Sequence, residues 1–139
     1  MRGDDCPICE VVAHASALAE LEMCRVMLGE EGAPMPGYVW LPVRRHVVEL
    51  HELREAEGAA LMRDLQRVSR ALVSVTGAVK LNIEIHGNTV PHLHVHVFPR
   101  YVGDRFEGRP IDPGSVREPA YAPGAFVALR QALADALAE

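Results

Sequence analysis

Histidine alternates with apolar residues three times between residues 92 and 97, and this pattern constrains the fold more than any other feature of the sequence. His92, His94 and His96 are separated by single apolar residues, namely Leu93, Val95 and Val97. Because successive side chains of a β-strand point to opposite faces, the pattern predicts a strand over residues 92–98 with one apolar face. The other face would present three imidazoles in a row, roughly 6.5 to 7 Å apart.

A half-buried strand that carries histidines by chance is the alternative interpretation. That interpretation would suit a single histidine, but this run contains three of the seven histidines of the chain. Histidine is not a favoured strand residue, and placing three partly desolvated imidazoles on one face costs stability. The run therefore indicates either catalysis or metal binding, since imidazole is also the commonest protein ligand of metal ions.

The rest of the sequence predicts an α+β fold with an antiparallel sheet. A helix is expected over residues 7–19, followed by strands over 21–28, 38–43, 80–85 and 92–98. One apolar stripe at helical spacing predicts a long helix that ends near Gly77, and its members are Leu61, Leu65, Val68, Leu72 and Val75. A similar stripe predicts a C-terminal helix, with Phe126, Leu129, Leu133 and Leu137 on one face. Strands gathered around one long helix, with little strand–helix alternation, favour this class.

We expect a single domain over residues 1–139, because the length suits one compact unit and no linker or repeat interrupts it. Residues 100–123 are rich in glycine, proline and charged residues and predict a long loop, which is often functional in a compact domain. With that loop outside the regular structure, the chain is long enough to build one hydrophobic core.

The histidine run and its surroundings resemble the histidine triad (HIT) family of nucleotide hydrolases and transferases. All seven positions of the run His92–Phe98 match the family pattern of histidine alternating with apolar residues. Further matches are Gly87-Asn88-Thr89-Val90-Pro91, Pro99-Arg100-Tyr101, Leu41-Pro42 and Arg45-His46. The bacterial branch that resembles diadenosine tetraphosphate hydrolases fits best, and the resemblance covers residues 6 to about 111. It implies about five strands packed with one long helix and a C-terminal helix.

The resemblance also implies a mechanism. The middle histidine of the family, here His94, attacks the α-phosphorus of a nucleotide and forms a nucleotidyl-histidine, while a backbone carbonyl on the same strand holds its other ring nitrogen. His96 would donate to phosphoryl or leaving-group oxygens. Asn82, Asn88 and Thr89 match positions that hold phosphate oxygens in relatives. For Asn88 a plain turn residue after Gly87 is the alternative.

Cys6 and Cys9 have the spacing of one half of a structural zinc site. Two cysteines do not complete a tetrahedral shell, so two further ligands must come from distant residues. In zinc-bearing relatives these are the equivalents of His46 and His92, and the resemblance therefore implies a zinc ion on all four residues. A cysteine pair that only begins a helix, without a metal, is the alternative.

Charge and composition limit the partners and the location. A net charge of −5 argues against a nonspecific nucleic-acid binder, which needs a basic surface. No apolar stretch approaches the roughly 20 residues that cross a bilayer, and residues 1–5 lack the apolar segment of a secretory signal. We expect a cytoplasmic protein.

From the resemblance we expect a nucleotide substrate, adenine as its base, and a homodimer. A dinucleoside polyphosphate phosphorylase, or a zinc-stabilised nucleotide-binding protein with little turnover, are the alternatives.

Overall fold

The computed structural model of the chain describes residues 3–112, 114 and 121–139. Within these residues a five-stranded antiparallel sheet packs with helices, which confirms the α+β prediction. The helices are α1 (Pro7–His14), α2 (Glu55–Thr76) and α3 (Ala125–Ala138), with short 3-10 helices at Gly3–Asp5 and Leu50–Glu52. The strands are β1 (Ala19–Glu20), β2 (Arg25–Leu28), β3 (Val39–Pro42), β4 (Lys80–Ile85) and β5 (His94–Arg100). Their order in the sheet is β1-β2-β3-β5-β4.

The long helix α2 forms as its apolar stripe predicts. Leu61, Leu65, Val68 and Leu72 are buried against the sheet, and Val75 packs at the edge of the same core. Helix α2 ends at Thr76 and is capped by Gly77, whose φ of 71° lies in the left-handed region that glycine adopts without a steric penalty. The C-terminal helix α3 also forms as predicted, and its Leu133 and Leu137 are buried.

The structure near the N-terminus differs from the prediction. Helix α1 ends at His14, well short of residue 19, and the strand predicted from residue 21 begins at Arg25. The reason is a tight turn between β1 and β2 that is held by Asp64 of α2. The buried Asp64 carboxylate accepts hydrogen bonds from the backbone N–H groups of residues 22, 23 and 24. Hydrophobic periodicity does not reveal such a contact, because its partners are about 40 residues apart.

The two faces of the sheet have different chemistry. The face on α2 is apolar and includes the buried Val39, Leu41, Val95 and Val97. On the opposite face, antiparallel register places Trp40 beside His96 and Pro42 beside His94. The predicted alternation therefore holds within β5, where His94 and His96 are half-buried and Val95 and Val97 are buried.

The predicted strand over residues 92–98 was wrong at its start, because β5 begins at His94. The segment before it crosses two chain segments: the Leu93 carbonyl accepts from the Val43 N–H, and the Leu93 N–H donates to the Val47 carbonyl. This crossing takes residue 92 out of the regular strand. His92 is completely buried, whereas His94 and His96 are half-buried.

The segment predicted as a loop over residues 100–123 is described in part. Residues 113 and 115–120 lie outside the described residues. Residues 101–112 form turns around the guanidinium of Arg100, which donates to Asp104 and to the carbonyls of Phe106 and Arg109. Phe106 is buried on the histidine side of the sheet with Met35, Phe98 and Ile111. Among the described helices, none combines the length and the apolar character needed to cross a membrane.

Candidate functional site

Four side chains that are distant in the sequence converge beside the start of β5. Cys6, Cys9, His46 and His92 each offer one ligand atom, and these atoms all lie within 4.8 Å of one another. The Sγ atom of Cys6 is 3.4 Å from Nδ1 of His92, and Sγ of Cys9 is 3.4 Å from Nδ1 of His46. The two Nδ1 atoms are 3.3 Å apart. These four residues could hold a metal ion.

Local structure explains how the cluster assembles. Cys6 is the N-cap of α1, where its Sγ accepts from the backbone N–H of Cys9 at 3.4 Å, and Pro7 follows at the start of the helix. His46 follows β3 and His92 precedes β5, and these strands are neighbours in the sheet. The cysteine pair therefore begins a helix and also belongs to the four-residue cluster, so the first role does not replace the second.

His92 connects the cluster to the neighbouring histidine. Its Nε2 lies 2.8 Å from the carbonyl oxygen of Val43, and since a carbonyl can only accept, Nε2 carries the proton. The Nδ1 atom of His92 is then the unprotonated nitrogen that faces the thiols. Burial lowers the pKa of His92, which favours this neutral ring. The backbone carbonyl of His92 in turn accepts from Nδ1 of His94 at 2.6 Å.

This carbonyl contact determines which nitrogen of His94 can react. Nδ1 of His94 must carry the proton in order to donate to the His92 oxygen, so Nε2 keeps its lone pair. The ring is further restrained by Trp40, which meets it edge-on at 6.1 Å, and by His96 at 4.8 Å between ring centroids. An imidazole held in this tautomer can act through Nε2 as a nucleophile or as a base.

The partner of His96 is a tyrosine that the sequence analysis did not identify. The hydroxyl of Tyr38 is 2.6 Å from Nδ1 of His96, and the two rings are stacked. Burial, with smaller contributions from His94 and His86, lowers the pKa of His96 to about 4. Burial also raises the pKa of Tyr38, so both groups are neutral at pH 7. Alternation along residues 38–42 groups Tyr38 with Trp40, but only the pairing of Trp40 with His96 shows that they share the histidine face.

The other residues expected to bind substrate, Asn82, Asn88 and Thr89, lie on β4 and in the loop that follows it. Asn82 is on the histidine face opposite Phe98, and its Oδ1 accepts from Arg100 at 2.8 Å. Asn88 and Thr89 are exposed in the loop between β4 and β5. His86, which follows β4, also lies near the histidines: its ring centroid is 5.8 Å from that of His96.

Two cavities open beside the histidine face. One of about 260 Å³ is lined by Tyr38, Glu84, His86 and His96, together with Pro34 and Phe98. Another of about 440 Å³ lies between α1 and the strands β2 and β3, and its walls include Val11, Met27, Leu28 and Trp40. A larger cleft of about 760 Å³ follows β4 and residues 100–110, but neither His94 nor His96 lines it. His96 lines the cavity of about 260 Å³, and Tyr38 and Trp40 connect the cavity of about 440 Å³ to the histidine face, so we assign these two cavities to the candidate site.

Comparison with known proteins gives partial sequence matches to two enzymes. The chain is 35% identical over 75 residues to the AP-4-A phosphorylase of Mycobacterium tuberculosis, a match that covers 50% of this chain and 38% of that protein. It has the same identity over 75 residues to the asymmetrical bis(5'-nucleosyl)-tetraphosphatase of Schizosaccharomyces pombe, covering 50% of this chain and 41% of that protein. The matches thus span about two fifths of the length of these curated relatives.

Comparison with solved structures extends the likeness to nearly the whole chain. A histidine triad protein from Bradyrhizobium japonicum has a TM-score of 0.75 and 35% identity, with 88% of this chain and 90% of that chain covered. A zinc-bound histidine triad family protein from Mycobacterium smegmatis has a TM-score of 0.72 and 25% identity, with 99% and 96% covered. The family model of the HIT domain matches residues 11–103. Because that match includes all five strands of the sheet and covers well over half of the sequence, the chain belongs to the HIT domain family.

Proposed function

We propose that this chain cleaves nucleotides at the α-phosphate through a covalent nucleotidyl-histidine on His94. The substrate class is a dinucleoside polyphosphate or a nucleoside phosphoramidate, with adenine as the base. Membership of the HIT domain family supports this proposal, as do the names of the two matched enzymes, which act on dinucleoside polyphosphates. We propose that the whole activity resides in a single domain over residues 1–139.

One observation carries the proposal: the hydrogen bond of 2.6 Å from Nδ1 of His94 to the carbonyl of His92. It leaves a lone pair on Nε2 of a half-buried imidazole on the sheet face. In the first step Nε2 attacks the α-phosphorus, a P–N bond forms, and the leaving group departs with the electron pair of its bond to phosphorus. In the second step water, which loses a proton to bulk solvent, or a phosphate dianion, which needs no proton transfer, attacks the same phosphorus, and the P–N bond breaks with its electron pair returning to Nε2 to restore neutral His94.

His96 stabilises the charge that develops in both steps. Its ring lies 4.8 Å from that of His94, so Nε2–H of His96 can reach an oxygen on the phosphorus that His94 attacks. Asn88 and Thr89 would hold phosphate oxygens from the exposed loop before β5. Asn82 would reach the substrate through its amide nitrogen, because its oxygen is bonded to Arg100. The apolar cavity beside Trp40, between α1 and β2, suits a nucleoside base.

We further propose that the four-residue cluster holds a structural zinc ion. Zn–S bonds of about 2.3 Å and Zn–N bonds of about 2.05 Å at tetrahedral angles imply S–N separations of about 3.5 Å and N–N separations of about 3.3 Å. Three of the four sulfur–nitrogen separations in the cluster are 3.4 to 3.5 Å, the nitrogen–nitrogen separation is 3.3 Å, and all four ligand atoms lie within 4.8 Å of one another. The proton on Nε2 of His92, held by Val43, gives the ring the tautomer that a metal ligand requires. A zinc ion would join α1 to the sheet.

We also propose that the protein is cytoplasmic, forms a homodimer and does not bind nucleic acid. A reducing compartment suits a site whose cysteines must stay free to bind metal. Strand β4 is at the edge of the sheet and exposes Val79, Ile83 and Ile85 around it, which favours pairing with a second copy. The net charge of −5 disfavours binding to the phosphate backbone of a nucleic acid.

The test is a product analysis with trapping of the intermediate. The protein is incubated with diadenosine tetraphosphate, with an adenosine phosphoramidate, and with no substrate, and is then quenched for intact-mass measurement. We expect an added nucleoside monophosphate on wild type and none on His94→Ala. Reaction in ¹⁸O-water puts the label into AMP if water is the second nucleophile, whereas added phosphate yields ADP if the protein is a phosphorylase. Turnover by His94→Ala at the wild-type rate would contradict the proposal.

A further inference from the structure

The contact between Tyr38 and His96 gives Tyr38 a role that the sequence did not suggest. The hydroxyl lies 2.6 Å from Nδ1 of His96. The Tyr38 ring is stacked on that of Phe98 with centroids 4.3 Å apart, and it also lies parallel to the ring of His96. Gly29 makes room for it, because a Cβ at Gly29 would meet Cδ1 of Tyr38 at 2.2 Å. The hydroxyl is therefore held by packing on several sides and is not a freely rotating surface group.

We propose that Tyr38 is a positioning residue that holds His96 as a neutral Nε2–H donor, and that this makes the site select phosphoanhydride over amine leaving groups. The second half of this inference rests on the proposed function. In the proposed arrangement the tyrosine hydroxyl donates to Nδ1, so the single proton of a neutral imidazole resides on Nε2. Nε2 is the nitrogen that would face oxygens on the phosphorus.

The charged and titratable neighbours of His96 come from three segments. His94 lies beside it on β5, Glu84 lies opposite it on β4, and His86 follows that strand. Glu84 is 3.5 Å from Nε2 of His86, so its charge faces that imidazole. Tyr38 approaches from the start of β3. With a pKa of about 4, His96 carries a second proton in about one molecule in a thousand at pH 7.

A neutral donor treats the two substrate classes differently. When a phosphoanhydride breaks, the departing phosphate oxygen is a stable anion, and a hydrogen bond from Nε2–H is sufficient. When a phosphoramidate breaks, the departing nitrogen takes the electron pair of the P–N bond and needs a proton to leave as an amine. A neutral His96 would have to become an anion in order to supply that proton. The site is therefore suited to polyphosphate substrates.

The first test is independent of turnover. In ¹⁵N-histidine-labelled protein, two-bond ¹H–¹⁵N spectra identify which nitrogen of His96 is protonated and follow its titration. We expect Nε2–H in wild type, with the pKa near 4. Tyr38→Phe removes a hydrogen bond that stabilises the neutral ring, so the pKa of His96 should rise by about one and the Nδ1–H form should appear. Tyr101→Phe is the matched control, because Tyr101 donates to the Pro36 carbonyl at 2.7 Å in the same packing cluster.

The second test compares kcat/KM for diadenosine tetraphosphate and an adenosine phosphoramidate across pH. Wild type should favour the anhydride by at least about 100-fold, and Tyr38→Phe should reduce that ratio by about 10-fold, through kcat and not KM. Tyr101→Phe should keep the wild-type ratio.

An Nδ1–H form in wild type, or an unchanged tautomer and pKa in Tyr38→Phe, would overturn the positioning role. An unchanged ratio despite a changed tautomer would overturn the selectivity. Absence of turnover in wild type would contradict the proposed function and leave the spectra to decide the role of Tyr38.

Discussion

Replacing Cys6 with serine should abolish zinc binding at the proposed site and lower the stability of the whole chain. The change leaves a similar volume but takes one thiolate from a set whose donor atoms lie within 4.8 Å of one another. A site filled at about 1,000 times its dissociation constant stabilises the folded state by about 4 kcal/mol. For a chain of 139 residues, whose unfolding entropy is about 0.29 kcal/mol/K, that corresponds to a fall of about 14 °C in Tm. Metal analysis and thermal unfolding measure both effects.

Cys24→Ala is the matched control for this prediction. Cys24 is also completely buried, but it lies outside the metal-ligand cluster. Its replacement should cost stability through lost packing while zinc remains bound, and a chelator should still lower its Tm. In Cys6→Ser the chelator should have no further effect. Equal and substoichiometric zinc in wild type and Cys6→Ser would show that the cysteine pair only begins α1.

Zinc removal should also slow the proposed reaction, because His92 belongs to both sites. Its side chain is in the cluster, and its carbonyl holds Nδ1 of His94 at 2.6 Å. Without zinc the position of His92 would be less fixed, so the ring of His94 and its reactive lone pair could turn away from the substrate. Small changes in the orientation of a nucleophile lower the rate of covalent catalysis. We expect kcat to fall with zinc content in a partial chelation series, while KM changes less.

The second large effect should come from substituting the two histidines of β5. The two variants should differ in how much the rate falls and in whether the nucleotidyl adduct forms. His94→Ala removes the proposed nucleophile, so the rate should fall by about 10⁴-fold or more and no nucleotidyl adduct should form. His96→Gln keeps a hydrogen-bond donor of similar length but changes its position. It should slow the reaction by about 100- to 1,000-fold while the adduct still forms. Rapid-quench measurement of the adduct separates these two outcomes.

His51→Ala provides the control for both variants. His51 is an exposed histidine in the 3-10 helix Leu50–Glu52, and none of the hydrogen bonds of His94 or His96 involves it. It should retain the wild-type rate. Equal losses in His94→Ala and His96→Gln, with an adduct in both or in neither, would contradict the separate roles assigned to these residues.

Local sequence patterns were sufficient to predict much of the framework. The apolar stripe from Leu61 to Val75 predicted α2, because a helix that packs on a sheet needs one apolar face at a period of 3.6 residues. The bounds of β4 agree with the predicted strand, and the alternation of histidine with valine predicted the two faces of β5. These features depend on neighbours within one turn or one strand, and such neighbours are close in the sequence.

Long-range contacts decided the rest. The Asp64 carboxylate shortened the predicted strand at residue 21 from about 40 residues away. The backbone bonds of Leu93 with residues 43 and 47 precede β5, which begins at His94, and His92 is completely buried while the other two histidines are half-buried. The pairing of Trp40 with His96 brought Tyr38 to the histidine face. Strand register and loop crossings depend on the combined packing of the chain, so no short segment encodes them alone.

By itself the sequence determined that an alternating histidine strand would lie in an α+β fold of the HIT family, and it singled out the cysteine pair as half of a metal site. The family resemblance named His46 and His92 as the partners of these cysteines, and the tertiary structure brings the four ligand atoms within 4.8 Å of one another. Only the tertiary structure decided which nitrogen of His94 is free, through the His92 carbonyl, and which tyrosine faces His96. The physical reason is that side-chain periodicity is a property of the local backbone. The direction of a lone pair, in contrast, depends on hydrogen-bond partners that folding brings together.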